Sequence, residues 1–188
     1  FDGDGDQDLV YVSAGPLTRV LLNNRGDATD SNGDWAGGGD PTHLDGARHI
    51  KLADLDGDGD PDLVAASNGG TGDAVVWYAN TGGSFGAPQT IDAGTTDINE
   101  MRLADVDMDG DIDVVVARTS GVDVFENDGT SWTQRTVGTL TDAVDVAVGD
   151  IDDDGDMDIA SASSSGGQVV WFENQLIHAT YTFSGSET

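Results

Sequence analysis

One acidic segment is written almost identically four times in this chain, and few folds can accommodate it. Numbered from Asp54, the segment carries Asp at positions 1, 3, 5, 7 and 9 and Gly at position 6. The copies are Asp54, Asp56, Asp58, Asp60 and Asp62; Asp105, Asp107, Asp109, Asp111 and Asp113; and Asp150, Asp152, Asp154, Asp156 and Asp158. The remaining copy begins at position 2 with Phe1 and supplies Asp2, Asp4, Asp6 and Asp8. Carboxylates crowded into nine residues repel one another, and a folded chain retains them where a cation cancels their charge. The copies also recur at long intervals, with Asp2, Asp56, Asp107 and Asp152 spaced by 54, 51 and 45 residues. Self-similarity at such a period is the mark of a repeat architecture.

The spacing within the segment matches the first half of an EF-hand loop. There, positions 1, 3 and 5 offer side-chain oxygens, position 7 offers a backbone carbonyl, and Gly at 6 permits the sharp turn. The bidentate Glu at position 12 is missing, and the Asp at position 9 can close the shell instead. The donor set is all oxygen, which favours a hard cation. Ca²⁺ is expected over Mg²⁺ because it accepts six to eight ligands in flexible geometry. The nineteen Asp residues named above are the expected ligands, with three complete loops and a fourth lacking its first position. Position 2 (Phe1, Leu55, Val106, Ile151) and position 10 (Leu9, Leu63, Val114, Ile159) are apolar in every copy and are expected to anchor the loop in the core. Asp153, at position 4 of the last copy, is expected to face solvent.

Around each loop the pattern predicts strands. An alternating apolar segment precedes it: Ile50 and Leu52; Ile98, Met101 and Leu103; Val144, Val146 and Val148. Alternation of this kind marks a half-buried strand. A second strand follows (Leu9–Val12, Leu63–Ala66, Val114–Ala117, Ile159–Ala162). A third ends in Asn (Val20–Asn23, Val75–Asn80, Val122–Asn127, Val169–Asn174). A weaker fourth falls near Phe85–Ile91, Trp132–Val137 and Thr180–Phe183. There is no sustained 3.6-residue period, and 27 glycines argue against helix. The expected fold is therefore all-β: a β-propeller or partial propeller of about four four-stranded blades. Residues 1–188 are read as a single repeat domain. Its blades fall at about 1–45 (incomplete, without its first strand), 46–95, 96–140 and 141–188. The numbering begins inside a repeat, which reads as a mature or excised piece of something longer. Residues 27–40 read as a loop insertion. Within it, Asp30-Ser-Asn-Gly-Asp34 imitates a calcium loop, but Ala28 and Ala36 stand where its first and last carboxylates belong.

Charge narrows the function. The formal net charge is -29, from 36 acids against 7 bases, and 32 of the acids are Asp. The four loops hold 20 of the 36, so the excess is concentrated in short side chains suited to wrapping an ion. So few Lys and Arg residues argue against nucleic acid and against anionic membrane surfaces as partners. No apolar run is long enough to span a bilayer. The absence of cysteine excludes disulfides, thiolate metal sites and cysteine nucleophiles. His43 and His49 lie near Asp45 without a supporting Glu or Cys and read as surface residues. Trp77, Tyr78, Phe125, Trp132, Trp171 and Phe172 read first as packing between blades and second as platforms for sugar rings. Trp35, in the insertion, is the best candidate for an exposed aromatic. No catalytic set stands out, and an ion-bound Asp is a poor general acid.

The loops Asp54–Leu63, Asp105–Val114, Asp150–Ile159 and the partial Phe1–Leu9, with Asn-ended strands such as Val169–Asn174, resemble the FG-GAP/VCBS repeats of integrin-alpha-like β-propellers. The resemblance covers nearly the whole chain. It implies extracellular or cell-surface blades with calcium between the first and second strands, and it does not fix one activity. The leading expectation is a non-enzymatic, calcium-binding structural or adhesive module that can assemble with copies of itself or with another extracellular protein. Two alternatives stay open: a lectin-like module that binds glycans, and a non-catalytic accessory domain of a secreted polysaccharide-degrading enzyme.

Overall fold

The computed structural model describes residues 7–12, 18–23, 35–37, 47–68, 74–94, 97–175 and 183–187; for residues 12, 18–23, 35–37 and 183–187 the backbone alone is described. Every regular element among them is a strand, as expected. The chain divides into two compact units, Phe1–Thr96 and Asp97–Thr188, each holding two repeats.

In the first unit, repeat one forms β1 (Leu9–Val12), β2 (Thr18–Asn23) and β3 (Trp35–Gly37), a three-stranded antiparallel sheet in that order. The short β3 corrects the reading of residues 27–40 as a loop alone, because Trp35–Gly37 pairs with Leu21–Asn23. Repeat two forms β4 (Ala47–Ala53), β5 (Asp62–Ser67), β6 (Val75–Tyr78), β7 (Asn80–Thr81), β8 (Ser84–Phe85) and β9 (Gln89–Asp92). Its sheet runs β4-β5-β6-β9, and β7 and β8 make a small separate hairpin. That hairpin turns on Gly82 and Gly83, both at positive φ. Glycine adopts that conformation without the clash a Cβ would bring. His43, Asp30, Asn32 and Asp34 lie outside the described residues. His49 sits half-buried on β4.

The second unit repeats the plan twice. Repeat three comprises β10 (Ile98–Ala104), β11 (Asp113–Arg118), β12 (Gly121–Asn127) and β13 (Trp132–Gly138). Repeat four comprises β14 (Ala143–Gly149), β15 (Asp158–Ser163), β16 (Val169–Asn174) and β17 (Phe183–Glu187). Both sheets are antiparallel meanders in chain order. Of the expected Thr180–Phe183 strand, only Phe183 falls within the described residues, and it opens β17. The first strands of repeats two, three and four carry a register irregularity near their start, between Ala47 and His49, Ile98 and Glu100, and Ala143 and Asp145. An extra residue there increases local twist without ending the ladder.

Each unit has its own core. Val106, Val115, Ala117, Val122 and Val124 of repeat three pack with Val146, Ile159, Val170 and Phe172 of repeat four. In the first unit Leu63, Ala65, Val76 and Tyr78 pack together, with Val10 of repeat one against them. Strands β5 and β11 are buried at every residue, whereas β15 is buried at Ile159, Ser161 and Ser163 and half-buried at Ala160 and Ala162. Tyr78, Phe125 and Phe172 are buried, while Trp77, Trp132 and Trp171 are half-buried.

The two sheets of the second unit are also pinned by polar contacts. Asn99 Nδ2 donates to the Ala143 carbonyl at 2.7 Å, Asn174 Nδ2 to the Val106 carbonyl at 3.1 Å, and Asp142 N to the Thr119 carbonyl at 2.8 Å. Packing is tight where β13 ends: a Cβ placed on Gly138 would lie 2.3 Å from Cε1 of Phe172. Gly138→Ala should therefore displace a core ring and destabilise the protein by about 1–3 kcal/mol. A shift of the urea midpoint at constant m-value is the expected reading.

Candidate metal centre

In repeats two, three and four the acidic loop joins the first strand to the second. At position 6, Gly59, Gly110 and Gly155 have φ of 96°, 102° and 101°. Position 4 is left-handed too, and here the residue varies: Gly57 at 75°, Met108 at 60° and Asp153 at 67°. A side chain in that region costs on the order of 1 kcal/mol or more. Repeats three and four hold the same turn without glycine, so the surrounding loop dictates it. Asp153 is exposed, as expected.

The carboxylates organise the loop by accepting backbone N–H groups. At position 1, Asp54 accepts from Gly57 N (2.8 Å) and Gly59 N (2.9 Å). Its counterpart Asp105 accepts from Gly110 N (3.1 Å), and Asp150 from Asp154 N (3.1 Å) and Gly155 N (3.0 Å). At positions 3 and 5, Asp56, Asp58, Asp107, Asp109 and Asp154 each accept from the amide two residues on. These Asx turns suit Asp better than the longer Glu. At position 7, Asp60 Oδ2 accepts from Gly82 N at 2.7 Å and so ties the loop to the β7–β8 turn.

Position 9 has a role that the sequence reading did not assign. Asp62, Asp113 and Asp158 are fully buried. In all three, Oδ2 accepts from the position-2 amide: Leu55 N at 2.9 Å, Val106 N at 2.7 Å and Ile151 N at 3.0 Å. Oδ1 accepts from Asn127 N at 2.9 Å and Asn174 N at 2.8 Å, which end the third strands β12 and β16, and in repeat two from Asn80 N at 2.7 Å, which stands two residues beyond the end of β6 rather than closing the expected Val75–Asn80 strand. The same Asn side chains donate back to the position-8 carbonyls of Pro61, Ile112 and Met157. One carboxylate thus joins the loop's entry to a strand 14 to 18 residues further on. The signal was available in sequence, since an Asn recurs at that strand end in every repeat, but its partner was not.

Three carboxylate groups converge, with an oxygen from each member within 4.8 Å of the others. They are Asp54, Asp56 and Asp58; Asp105, Asp107 and Asp113; and Asp150, Asp152 and Asp158. Asp62, Asp60, Asp109, Asp111, Asp154 and Asp156 belong to the expected loops but not to these groups. Asp8 is half-buried, and Asp2, Asp4 and Asp6 lie outside the described residues. Oδ1 of Asp105 is buried and accepts no hydrogen bond. An orphaned carboxylate oxygen beside Asp107 and Asp113 fits an oxygen-seeking cation. The anchors are as expected at Leu55, Val106, Leu63, Val114 and Ile159, all buried. Ile151 and Leu9 depart from the expectation at 49% and 45% exposed. Val106 is covered by repeat four, and among the described residues no sheet covers Ile151 in the same way.

Burial pushes the Asp113 carboxyl up to about 7, with Asp107 and Asp109 adding to the rise and the Asn127 and Val106 amides opposing it. Burial also raises Asp62. Asp109 is raised by desolvation and by neighbouring Asp107 and Asp111. In contrast, hydrogen bonds from Thr130 and Ser131 hold Asp128 low.

The chain belongs to the FG-GAP-like repeat family, whose model matches residues 1–65, 54–116 and 105–161. Modules of this family are generally non-catalytic, and its repeats are typical of extracellular proteins. Among solved structures, the chain is similar to an Agrocybe aegerita lectin that recognises non-reducing terminal N-acetylglucosamine. The identity is 21% and the TM-score 0.57, over 96% of this chain and 50% of the lectin. It is similar also to BBS1N, solved in complex with ARL6DN and soaked with lead, at 18% identity and TM-score 0.57, over 95% of this chain and 53% of that one. Both likenesses are to β-propeller-like folds, and the chain spans about half the length of each. No curated protein sequence matches. No described helix is long and apolar enough to cross a membrane.

Two outcomes follow for the metal-free protein. Asp113→Ala leaves the Val106 and Asn127 amides buried without an acceptor and should cost about 1–3 kcal/mol for each stranded donor. Denaturant melts without added metal measure this, and an unchanged midpoint would contradict the latch. The second outcome concerns pH. A carboxyl whose pKa is raised by folding holds its proton more tightly in the folded state, so its stabilising contribution is complete below about pH 4 and is lost as pH rises through about 7. The metal-free protein should therefore melt at progressively lower temperature across that window. Asp128 acts below the window and does not mask the trend. A melting temperature that climbs from pH 4 to 7 in metal-free buffer would refute this assignment.

Proposed function

We propose that this chain is a calcium-stabilised extracellular repeat module with a structural or adhesive role. The observation that carries the reading is the convergence of Asp105, Asp107 and Asp113 around the buried, partnerless Oδ1 of Asp105, with equivalent loops in the neighbouring repeats. All donors are oxygens, and the Asx-turned loop is flexible enough for a large hard cation, which favours calcium over magnesium. The residues that would hold it are Asp54, Asp56 and Asp58; Asp105, Asp107 and Asp113; and Asp150, Asp152 and Asp158, with positions 5 and 7 of the later loops completing the shell. Bound calcium supplies positive charge that cancels the crowding and fixes the loop between the first two strands. Extracellular modules of this type bind with Kd on the order of 10⁻⁴–10⁻³ M. A site held at about 100 times its Kd contributes roughly 2.7 kcal/mol. Several such sites would form a large share of a typical stability of about 5–15 kcal/mol.

The glycan-binding alternative draws support from the lectin neighbour alone, whose 21% identity carries the fold and not the sugar site. A glycan array tests it directly.

Calcium should raise the melting temperature by many degrees above the value in EGTA at neutral pH and low salt. Asp107→Asn should blunt that rise while leaving the metal-free melt unchanged or higher, because it removes one repelling charge. Identical melting curves with calcium and with EGTA would overturn the proposal.

A further inference from the structure

We propose that the two acidic loops of the second unit are coupled through Asn174, so that a cation ordering one loop makes the other bind its cation more tightly. This is a regulation of the candidate metal centre, and it rests on the calcium reading for that consequence. The coupling itself lies in hydrogen bonds of the metal-free chain.

A continuous relay joins the loops of repeats three and four. In the loop of repeat three, Val106 stands between Asp105 and Asp107, two of the three members of its convergent group. Val106 N donates to the third member, Asp113, at 2.7 Å. The Val106 carbonyl accepts from Asn174 Nδ2 of repeat four at 3.1 Å. Asn174 N donates to Asp158 Oδ1 at 2.8 Å, and Asp158 Oδ2 accepts from Ile151 N at 3.0 Å. Ile151 stands between Asp150 and Asp152, which with Asp158 form the convergent group of the loop of repeat four. Asn174 Nδ2 also donates to the carbonyl of Met157, beside Asp158, at 3.2 Å. One residue thus touches position 2 of one loop with its side chain and position 9 of the next with its backbone.

Burial makes the relay stiff. Asn174, Asp113 and Asp158 are fully buried and Val106 is nearly so. In such low dielectric a broken bond strands a polar group at high cost. The peptide groups of Val106 are flanked by carboxylates of the group on both sides, so fixing Asp105, Asp107 and Asp113 around an ion fixes the carbonyl that holds Asn174. Asn174 in turn sets Asp158. The order that a first ion imposes is order that a second need not impose, which is positive coupling between the sites. Charge acts in the opposite direction, because an ion on one loop weakens the negative field at the other. Salt screens that effect over a Debye length of about 8 Å at physiological strength. The relay acts by contact and is not screened.

The bond from Asn99 supplies the contrast. Asn99 Nδ2 donates to the Ala143 carbonyl at 2.7 Å and so joins the same two sheets. Asn99 lies near the start of β10 and Ala143 opens β14, each at the opposite end of its strand from the acidic loop. If cross-sheet pinning in general carried the coupling, Asn99 would serve as well as Asn174. If the relay carries it, Asn99 is dispensable and Asn174 is not.

The test titrates calcium into the 188-residue chain at physiological ionic strength, with the Val106 and Ile151 amide resonances reporting the two loops separately. Asp107→Asn weakens the loop of repeat three and should raise the calcium midpoint of the loop of repeat four by about two- to tenfold, the range that one hydrogen bond supplies. Asp152→Asn should raise the midpoint of the loop of repeat three by the same factor, because coupling is reciprocal. Combined with Asn174→Ala, both shifts should collapse; combined with Asn99→Ala, both should persist. Asn174→Ser, whose side chain is one bond shorter than that of Asn, should behave as Asn174→Ala does and replaces it if the alanine variant does not fold. Shifts of equal size with and without the Asn174 substitution overturn the proposal. So does a chain with Asn174 intact that shows no shift, or one that loses its shifts on Asn99→Ala. A second arm uses no metal. In EGTA, Asn174→Ala should speed hydrogen exchange several-fold at the Val106 and Ile151 amides together, beyond any effect of Asn99→Ala. Faster exchange at fewer than both amides, or equal acceleration by Asn99→Ala, overturns the coupling. If neither loop binds calcium, the calcium reading falls, and the exchange arm by itself decides whether the loops are coupled.

Discussion

A buried carboxylate at position 9 ties together each of repeats two, three and four. It accepts one amide from the start of the acidic loop and one from an Asn at or just beyond the end of the third strand, in Asp62, Asp113 and Asp158 alike. A β-sheet satisfies its own ladder, but the amides where a strand leaves it need another acceptor. A carboxylate supplies two oxygens, enough for both amides, and bonds to an ionised acceptor are stronger than neutral ones. Burial works against that ionisation, as the raised pKa of Asp113 records. Structural need and electrostatic cost therefore meet at one residue, and a cation beside Asp105 and Asp107 would relieve the cost.

This arrangement divides the labour within the acidic segment. Positions 1, 3 and 5 shape the loop through Asx turns and bring oxygens together. Position 7 reaches out, as Asp60 does to Gly82. Position 9 turns inward. The alternation of Asp with other residues separates these roles along a single extended turn. It also explains why Asp dominates over Glu: every one of these contacts is made over a short reach, to an amide within a few residues or directly beneath the loop.

Much of this was legible in the sequence. The repeat period and the alternating segments located β4, β10 and β14 and the strands that follow each loop, because periodicity of two is a direct consequence of strand geometry. The loops themselves were legible because a turn of that shape needs Gly59, Gly110 and Gly155 at position 6. Less was legible about β3, whose Trp35–Gly37 carries no alternation and pairs only because β2 lies beside it. The inward role of Asp62, Asp113 and Asp158 was hidden as well. Their Asn partners lie 14 to 18 residues away across turns of differing length, so no fixed spacing betrays the pairing.

Local composition by itself determined the all-β architecture, the number of acidic loops and the all-oxygen character of the candidate sites. Each of these depends on residues close in the chain, where sterics and charge act without reference to the rest of the molecule. Tertiary structure decided which copies of an apolar position are buried. Leu55 and Val106 are covered while Ile151 is not, and Leu63 is covered while Leu9 is not. The motif is the same in each pair; Val106 packs into the core of the second unit and Leu63 into that of the first, and such packing belongs to the tertiary structure rather than to the segment.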